Sequence, residues 1–175
     1  MKFFVAGISY KTAPVALRER LAITPSTLPC AGCRLKISGD LQEVVLLSTC
    51  NRVEVYGVAS KVNGNVHGLF RHLGPGTVDI EPYLYIHEGD EALRHLFSVA
   101  GGLDSMVLGE TEITGQLKQA YQAAHASKLT GRLLNRVFQT ALQTDKRLRK
   151  RSWTDPAIGP DAGAPDLEPN GADTW

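Results

Sequence analysis

The sequence predicts an α+β fold, a ferredoxin-like βαββαβ layer followed by a small helical subdomain. Two observations predict it. Strand-like and helical segments follow one another in that order over roughly the first half of the chain, and from Asp90 onward the apolar period is that of helices alone. A third observation sets the scale: 175 residues, 43% apolar and 21% charged, suit one globular domain that buries a core without a disulfide or metal staple.

The elements follow in order. Lys2–Ser9 alternates and is β-rich, a strand. Thr12 is placed to cap a helix with Pro14 in its first turn and Val15–Leu21 as its body. Val44–Leu47 is a short apolar run fit for a buried strand. Arg52–Ala59 alternates again, Val53 and Val55 on one side and Arg52, Glu54 and Tyr56 on the other. Ser48–Asn51 must then be a tight connection. Val66–Leu73 reads as a helix stopped by Gly74-Pro75-Gly76, and Tyr83–His87 as a fourth strand. Asp90 is expected to cap Glu91–Ala100, ended by Gly101-Gly102. Helices from about Glu112 to Ala126 and from Thr130 to about Arg151 complete the ordered part, expected to be a domain of residues 1–151. Residues 152–175 hold four prolines among Gly, Ala and five acidic residues, with no Lys or Arg; this tail is expected to be disordered.

Its removal leaves a body of net charge +6, against +1 for the whole chain. That surface suits a polyanion such as RNA and equally an ordinary solvated exterior. No long apolar run or signal-peptide pattern is present and the three cysteines are an odd number, so a cytosolic protein with free thiols is expected, with no membrane and no DNA partner.

Chemistry concentrates in Leu47-Ser-Thr-Cys-Asn-Arg-Val-Glu54. A thiol at a strand-end turn is accessible, and flanking amides with Arg52 favour its thiolate, the nucleophilic form. Arg52 offers a fork for a carboxylate, with Glu54 on the same strand face to orient it. By composition alone, Cys50 fits a small buried residue near a salt bridge as well. In Gly101–Glu110, glycines flank a short polar and apolar stretch to which Ser105 and Glu110 could add a hydroxyl and a carboxylate, a pattern that admits a ligand or a plain helix connection. His95, at helical spacing with Ala92 and Val99, reads by itself as a packed residue. Cys30-Ala-Gly-Cys33 suggests metal or redox work, but no second pair completes a four-ligand zinc site, and no strand precedes it as in a thioredoxin motif.

Four motifs in register give the chain a family likeness. Ser48-Thr-Cys-Asn-Arg-Val-Glu-Val-Tyr-Gly57, Leu93-Arg-His-Leu-Phe97, Gly102-Leu-Asp-Ser-Met-Val-Leu-Gly-Glu110 and Gln116-Leu-Lys-Gln-Ala-Tyr121 resemble the amino-terminal catalytic domain of glutamyl-tRNA reductase. Gly7-Ile-Ser-Tyr-Lys-Thr-Ala-Pro14 and Leu17-Arg-Glu-Arg-Leu21 match too, so the likeness covers about residues 1–151. It implies that Cys50 attacks the ester of glutamyl-tRNA and that NADPH reduces the resulting thioester to glutamate-1-semialdehyde in tetrapyrrole synthesis. It implies a glutamyl site from Thr49, Asn51, Arg52, Ser105, Glu110, Thr111, Glu112 and Gln116, with His95 assisting proton transfer. Glu112 stands where relatives often have Gln, Thr111 is at a variable place, and Cys30 and Cys33 are outside the pattern. No G-x-G-x-x-G follows a strand, so NADPH is expected only in trans, from a nicotinamide-domain protein. Glutamate-1-semialdehyde aminotransferase is the other protein partner implied. Lys146-Arg-Leu-Arg-Lys-Arg151 resembles the start of that family's spinal helix. The competing expectation is a non-catalytic paralogue binding tRNA, glutamate or a full-length reductase.

Overall fold

The structure, a computed structural model, describes residues 1–24, 26–60, 62, 65–71, 73, 79–106 and 111–154. Four strands form one antiparallel sheet in the order β2-β3-β1-β4: β1 (Lys2–Ser9), β2 (Glu43–Ser48), β3 (Arg52–Ala59) and β4 (Tyr85–Glu88). Among the described residues six helices accompany it: α1 (Val15–Leu21), α2 (Leu28–Ser38), α3 (Asn65–Arg71), α4 (Asp90–Ala100), α5 (Glu112–Ala126) and α6 (Arg132–Thr154). The fold is therefore mixed α/β, as the periodicities require.

β1 and β3 lie at the centre, paired over their full length from Lys2 opposite Ala59 to Ser9 opposite Arg52. All eight residues of β3 are buried. Alternation in β3 thus does not separate a wet face from a dry one; helices cover the polar face as well. On that face the Tyr56 ring meets Phe138 of α6 edge-on, centroids 5.3 Å apart, and Phe138 stacks on Tyr121 of α5 at 5.5 Å. Such aromatic pairs add about 1 kcal/mol each to the apolar area they bury.

The α5–α6 connection is anchored to the edge strand. Val44 N donates to Leu129 O at 2.9 Å, and the Glu43 carboxylate accepts from the amides of Gly131, Leu133 and Leu134 at 2.8, 3.1 and 2.8 Å. A strand carboxylate thereby satisfies the first free amides of α6 and meets the positive end of its dipole. A Cβ at position 131 would sit 2.8 Å from that carboxylate, which is why glycine stands there.

Several expectations are corrected. A second helix, α2, stands between α1 and β2; its Ala-Gly centre and lack of a side-chain cap hid it. α1 begins after Pro14, and Thr12 does not cap it: its hydroxyl accepts from Ser9 N at 3.1 Å. Asp90 opens α4 and Gly89, at φ 56°, occupies the cap. The fourth strand starts at Tyr85 because Pro82 falls in a 3₁₀ turn, Glu81–Tyr83, and cannot donate to a ladder. α6 runs to Thr154, three residues beyond the end expected at about Arg151. The expected helix stop at 74–76 and the expected disorder from 155 onward lie outside the described residues. Among the described residues, no helix is long and apolar enough to cross a membrane.

Candidate functional site

The turn between β2 and β3 is built by its own side chain. Thr49 N donates to Arg52 O at 2.8 Å, and Thr49 Oγ1 accepts from the amides of Asn51 and Arg52 at 3.2 and 3.1 Å. A hydroxyl that gathers the following amides closes a three-residue turn without glycine. The tip is pinned from outside, since Tyr10 N and Arg18 Nη1 both donate to Asn51 O, at 2.8 and 3.4 Å. Pinned at Thr49 and Asn51, the turn leaves Cys50 exposed between them.

Immediately beyond, polarity goes inside. Arg52 is 1% exposed and Glu54 0%. Arg52 Nη1 donates to Glu54 Oε1 and to Asp104 Oδ2, both at 3.0 Å, while Nη2 donates to the Asp104 carbonyl. Glu54 also accepts from Tyr56 at 2.5 Å, from His95 Nε2 at 2.7 Å and from the Tyr85 hydroxyl. Burial alone would raise the Glu54 pKa; the His95 hydrogen bond and the Arg52 charge outweigh it and bring it down to about 2. Burial likewise opposes the Arg52 charge, but Glu54 holds it on, above its ordinary range. Burial first, then the Glu54 carboxylate, push both tyrosines up, so they remain donors. Because the Glu54 carboxylate only accepts, the ring nitrogen of His95 facing it carries the proton. Gly7, opposite Glu54 in the register, leaves the room: a Cβ there would lie 2.7 Å from Glu54 Cγ and from the Val53 carbonyl.

Asp104 reaches this network through the end of α4. Gly102 at φ 68° lets Leu103 N donate back to Ser98 O at 2.8 Å and Gly102 N to Val99 O at 3.1 Å, a Schellman ending. The chain reverses there, and the next residues fall against Arg52. Lys11 holds the outer side of Asp104. Burial works against the Asp104 charge, but hydrogen bonds from Lys11 and Arg52 and their charges keep its pKa lowered. The Asp104 bond in turn raises Lys11.

One residue later Ser105 is 8% exposed, and its hydroxyl has no hydrogen-bond partner. It lines a pocket together with Thr49, Cys50, Asn51, Arg52, Glu112, Ile113 and Gln116. Glu112 and Gln116 stand one turn apart on α5, the Gln116 amide donating to the Glu112 carboxylate at 3.1 Å. The pocket thus sets an exposed sulfur beside an unsatisfied buried hydroxyl, a carboxylate and an amide. A buried hydroxyl without a partner costs roughly 1–3 kcal/mol, which an incoming polar group would recover.

Of the sequence-predicted site residues, Cys50, Thr49, Asn51, Arg52, Ser105, Glu112 and Gln116 line this one pocket. Thr111 precedes α5, exposed and off the lining. Glu110 lies outside the described residues. His95 is absent from the lining; with Ser9, Lys11, Thr12, Tyr85, His87 and Asp104 it borders a second cavity of about 200 Å³. Arg52 is not the free fork that the sequence suggested, since both terminal nitrogens are bonded within the protein. Sequence reasoning passed over Asp104 and Tyr85. Asp104 could have been found, being the polar residue delivered by the Gly102 reversal; the Tyr85 hydroxyl carries no sequence signal for the carboxylate it meets.

The chain is similar to known proteins. A family model described as "Glutamyl-tRNAGlu reductase, N-terminal domain" matches residues 6–152. The glutamyl-tRNA reductase of Salinispora arenicola is 45% identical over 161 residues, covering 90% of this chain and 35% of the relative. That of Shouchella clausii is 43% identical over 152 residues, covering 85% and 34%. Among solved structures, glutamyl-tRNA reductase from Methanopyrus kandleri superposes with a TM-score of 0.70 at 32% identity, over 85% of this chain and 34% of that one. The chain spans about a third of the length of these relatives.

Proposed function

The chain belongs to the glutamyl-tRNA reductase family, matching its N-terminal domain, and from that premise we propose that Cys50 accepts the glutamyl group of glutamyl-tRNA as a thioester. The Cys50 sulfur gives up its proton and attacks the ester carbonyl carbon, the bond from that carbon to the ribose oxygen breaks, and the departing oxygen takes up a proton. Ser105 hydrogen-bonds the glutamyl group. The Glu112 carboxylate and Gln116 amide take its ammonium and a carbonyl or carboxylate oxygen. Thr49 and Asn51 hold the turn that presents the sulfur. Arg52 positions Ser105 by clamping Asp104 at both its carboxylate and its carbonyl. Glu54 keeps Arg52 charged and aimed, and His95 serves that network through Nε2.

The observation that carries this reading is the unpartnered Ser105 hydroxyl in the same pocket as the exposed sulfur. The strand order, read from the other edge as 4-1-3-2 with every neighbour antiparallel, supports taking the sheet as a ferredoxin-like split βαβ layer. Reduction of the thioester by NADPH is the second half of the reaction that the family implies. The described residues do not fit a dinucleotide: the sheet has no parallel strand pair and no strand leads through a G-x-G-x-x-G turn into a helix. We assign no hydride step to them and place that step on a nicotinamide-binding unit.

The test is a single-turnover incubation with glutamyl-tRNA followed by intact mass measurement. A glutamyl adduct on the wild-type chain, absent from Cys50→Ser, is expected. Equal adduct on both proteins, or none on either, overturns the proposal.

A further inference from the structure

We propose that Cys30 and Cys33 form a two-coordinate site for a soft monovalent metal ion, Cu(I) being the chemical type. Both cysteines are exposed in the first two turns of α2. The two residues between them face inward: Ala31 and Gly32 are buried, and a Cβ on Gly32 would lie 2.6 Å from Leu129 Cδ1. Small residues at 31 and 32 therefore let α2 sit close to the α5–α6 connection, and the same rotation turns both sulfurs to one solvent-facing stripe.

Helix geometry then selects the chemistry. Residues three apart on a helix have Cβ atoms about 5–6 Å apart. A disulfide needs Cβ atoms about 3.5–4.5 Å apart, closer than that spacing, so it would require a local adjustment of the first turn. Two metal–sulfur bonds of about 2.3 Å in line span about 4.6 Å, which the side chains reach with the helix intact. Among the described residues no three His, Cys, Asp or Glu side chains gather where a metal could be held. Zinc would lack its third and fourth ligands, whereas a soft ion is content with two thiolates. Binding releases one proton from each thiol and leaves a bis-thiolate complex of charge −1. The first turn of α2 suits that charge: it holds no acidic residue and lies at the positive end of the helix dipole, with exposed Arg34 beside Cys33.

The full chain, reduced with a phosphine and kept anaerobic, is titrated with Cu(I) against a chromophoric Cu(I) chelator. Wild type and Cys50→Ser are expected to hold one ion each. Cys30→Ser and Cys33→Ser are expected to bind about 100-fold more weakly or worse, because the second thiolate acts at high effective concentration. X-ray absorption at the copper edge is expected to find two sulfur neighbours. The proposal falls if wild type holds no ion, if either single variant binds as tightly as wild type, if Cys50→Ser loses the ion, or if nitrogen ligands appear.

Discussion

Replacing Glu54 by Gln tests the buried network at its centre. The side chain keeps its shape, but the group accepting four donors loses its charge, and an amide NH₂ must face one of them. The magnitude follows from the carboxyl itself. With a pKa of about 2 in the fold against 4.5 ordinarily, its ionisation contributes about 3 kcal/mol of stability at neutral pH. Removing one member of a buried ion pair generally costs about 3–5 kcal/mol, so the two routes agree. For a chain of this size that is roughly a 10 °C fall in Tm. The pH dependence has a definite sign. Because the folded pKa is depressed, the contribution is complete above about pH 5 and disappears as pH falls toward 2. Urea unfolding followed by circular dichroism, at intervals from pH 7 to pH 2.5, measures both effects. Wild type should lose stability steeply below about pH 5, and Glu54→Gln should start lower and fall less. Asp104, also depressed and sharing Arg52 with Glu54, tilts both curves in the same direction. A variant within about 1 kcal/mol of wild type at pH 7, or one as steep below pH 5, would refute the assignment of Glu54 as the ionised hub.

Ser105→Ala should raise stability by about 1 kcal/mol, since it deletes a buried hydroxyl with no partner, while slowing single-turnover acylation about tenfold; the opposed directions separate a ligand contact from a structural one, and denaturation with rapid-quench acylation reads both. Glu43→Ala should cost about 1–2 kcal/mol by freeing the first amides of α6, seen as a lower urea midpoint with unchanged acylation. Gly7→Ala forces a Cβ against Glu54 and the Val53 carbonyl, and about 1–3 kcal/mol of destabilisation is expected in the same unfolding assay.

Part of the pocket was legible from local rules: Cys50 and Arg52 sit in a short connection between two β-rich runs. Thr49, Asn51, Glu112 and Gln116 entered only through the family resemblance, since nothing in their own spacing marks them as lining the same pocket. Partners chosen across the sheet were not legible. Nothing in residues 52–54 states that Arg52 will spend its donors on Asp104, fifty-two positions away, because that contact depends on how α4 ends and where β4 pairs. Alternation in β3 leaves burial open for a related reason: period-two polarity marks which residues share a face, and only tertiary packing decides whether that face meets water. α2 escaped notice because its inward stripe of Leu28, Ala31, Gly32 and Leu35 is filled at its centre by small residues that mark no apolar period strongly.

The site divides its labour between a surface turn and an interior ion network, and physical chemistry requires the division. A sulfur exposed for reaction with a large substrate, as proposed for Cys50, stands on a loop, where backbone freedom would ordinarily blur its position. Hydrogen bonds from the amides of Asn51 and Arg52 to Thr49, and from Tyr10 and Arg18 to Asn51, restrain the loop locally. They do not place Ser105, which arrives from the far end of α4. Arg52 touches both halves: its backbone closes the Cys50 turn, and its guanidinium holds Asp104 next to Ser105. A buried guanidinium persists only with its charge compensated, so Glu54 and its three further donors are needed to make the clamp rigid. Loss of Glu54 should therefore slow acylation through the distance between Ser105 and the sulfur, although Glu54 itself borders neither.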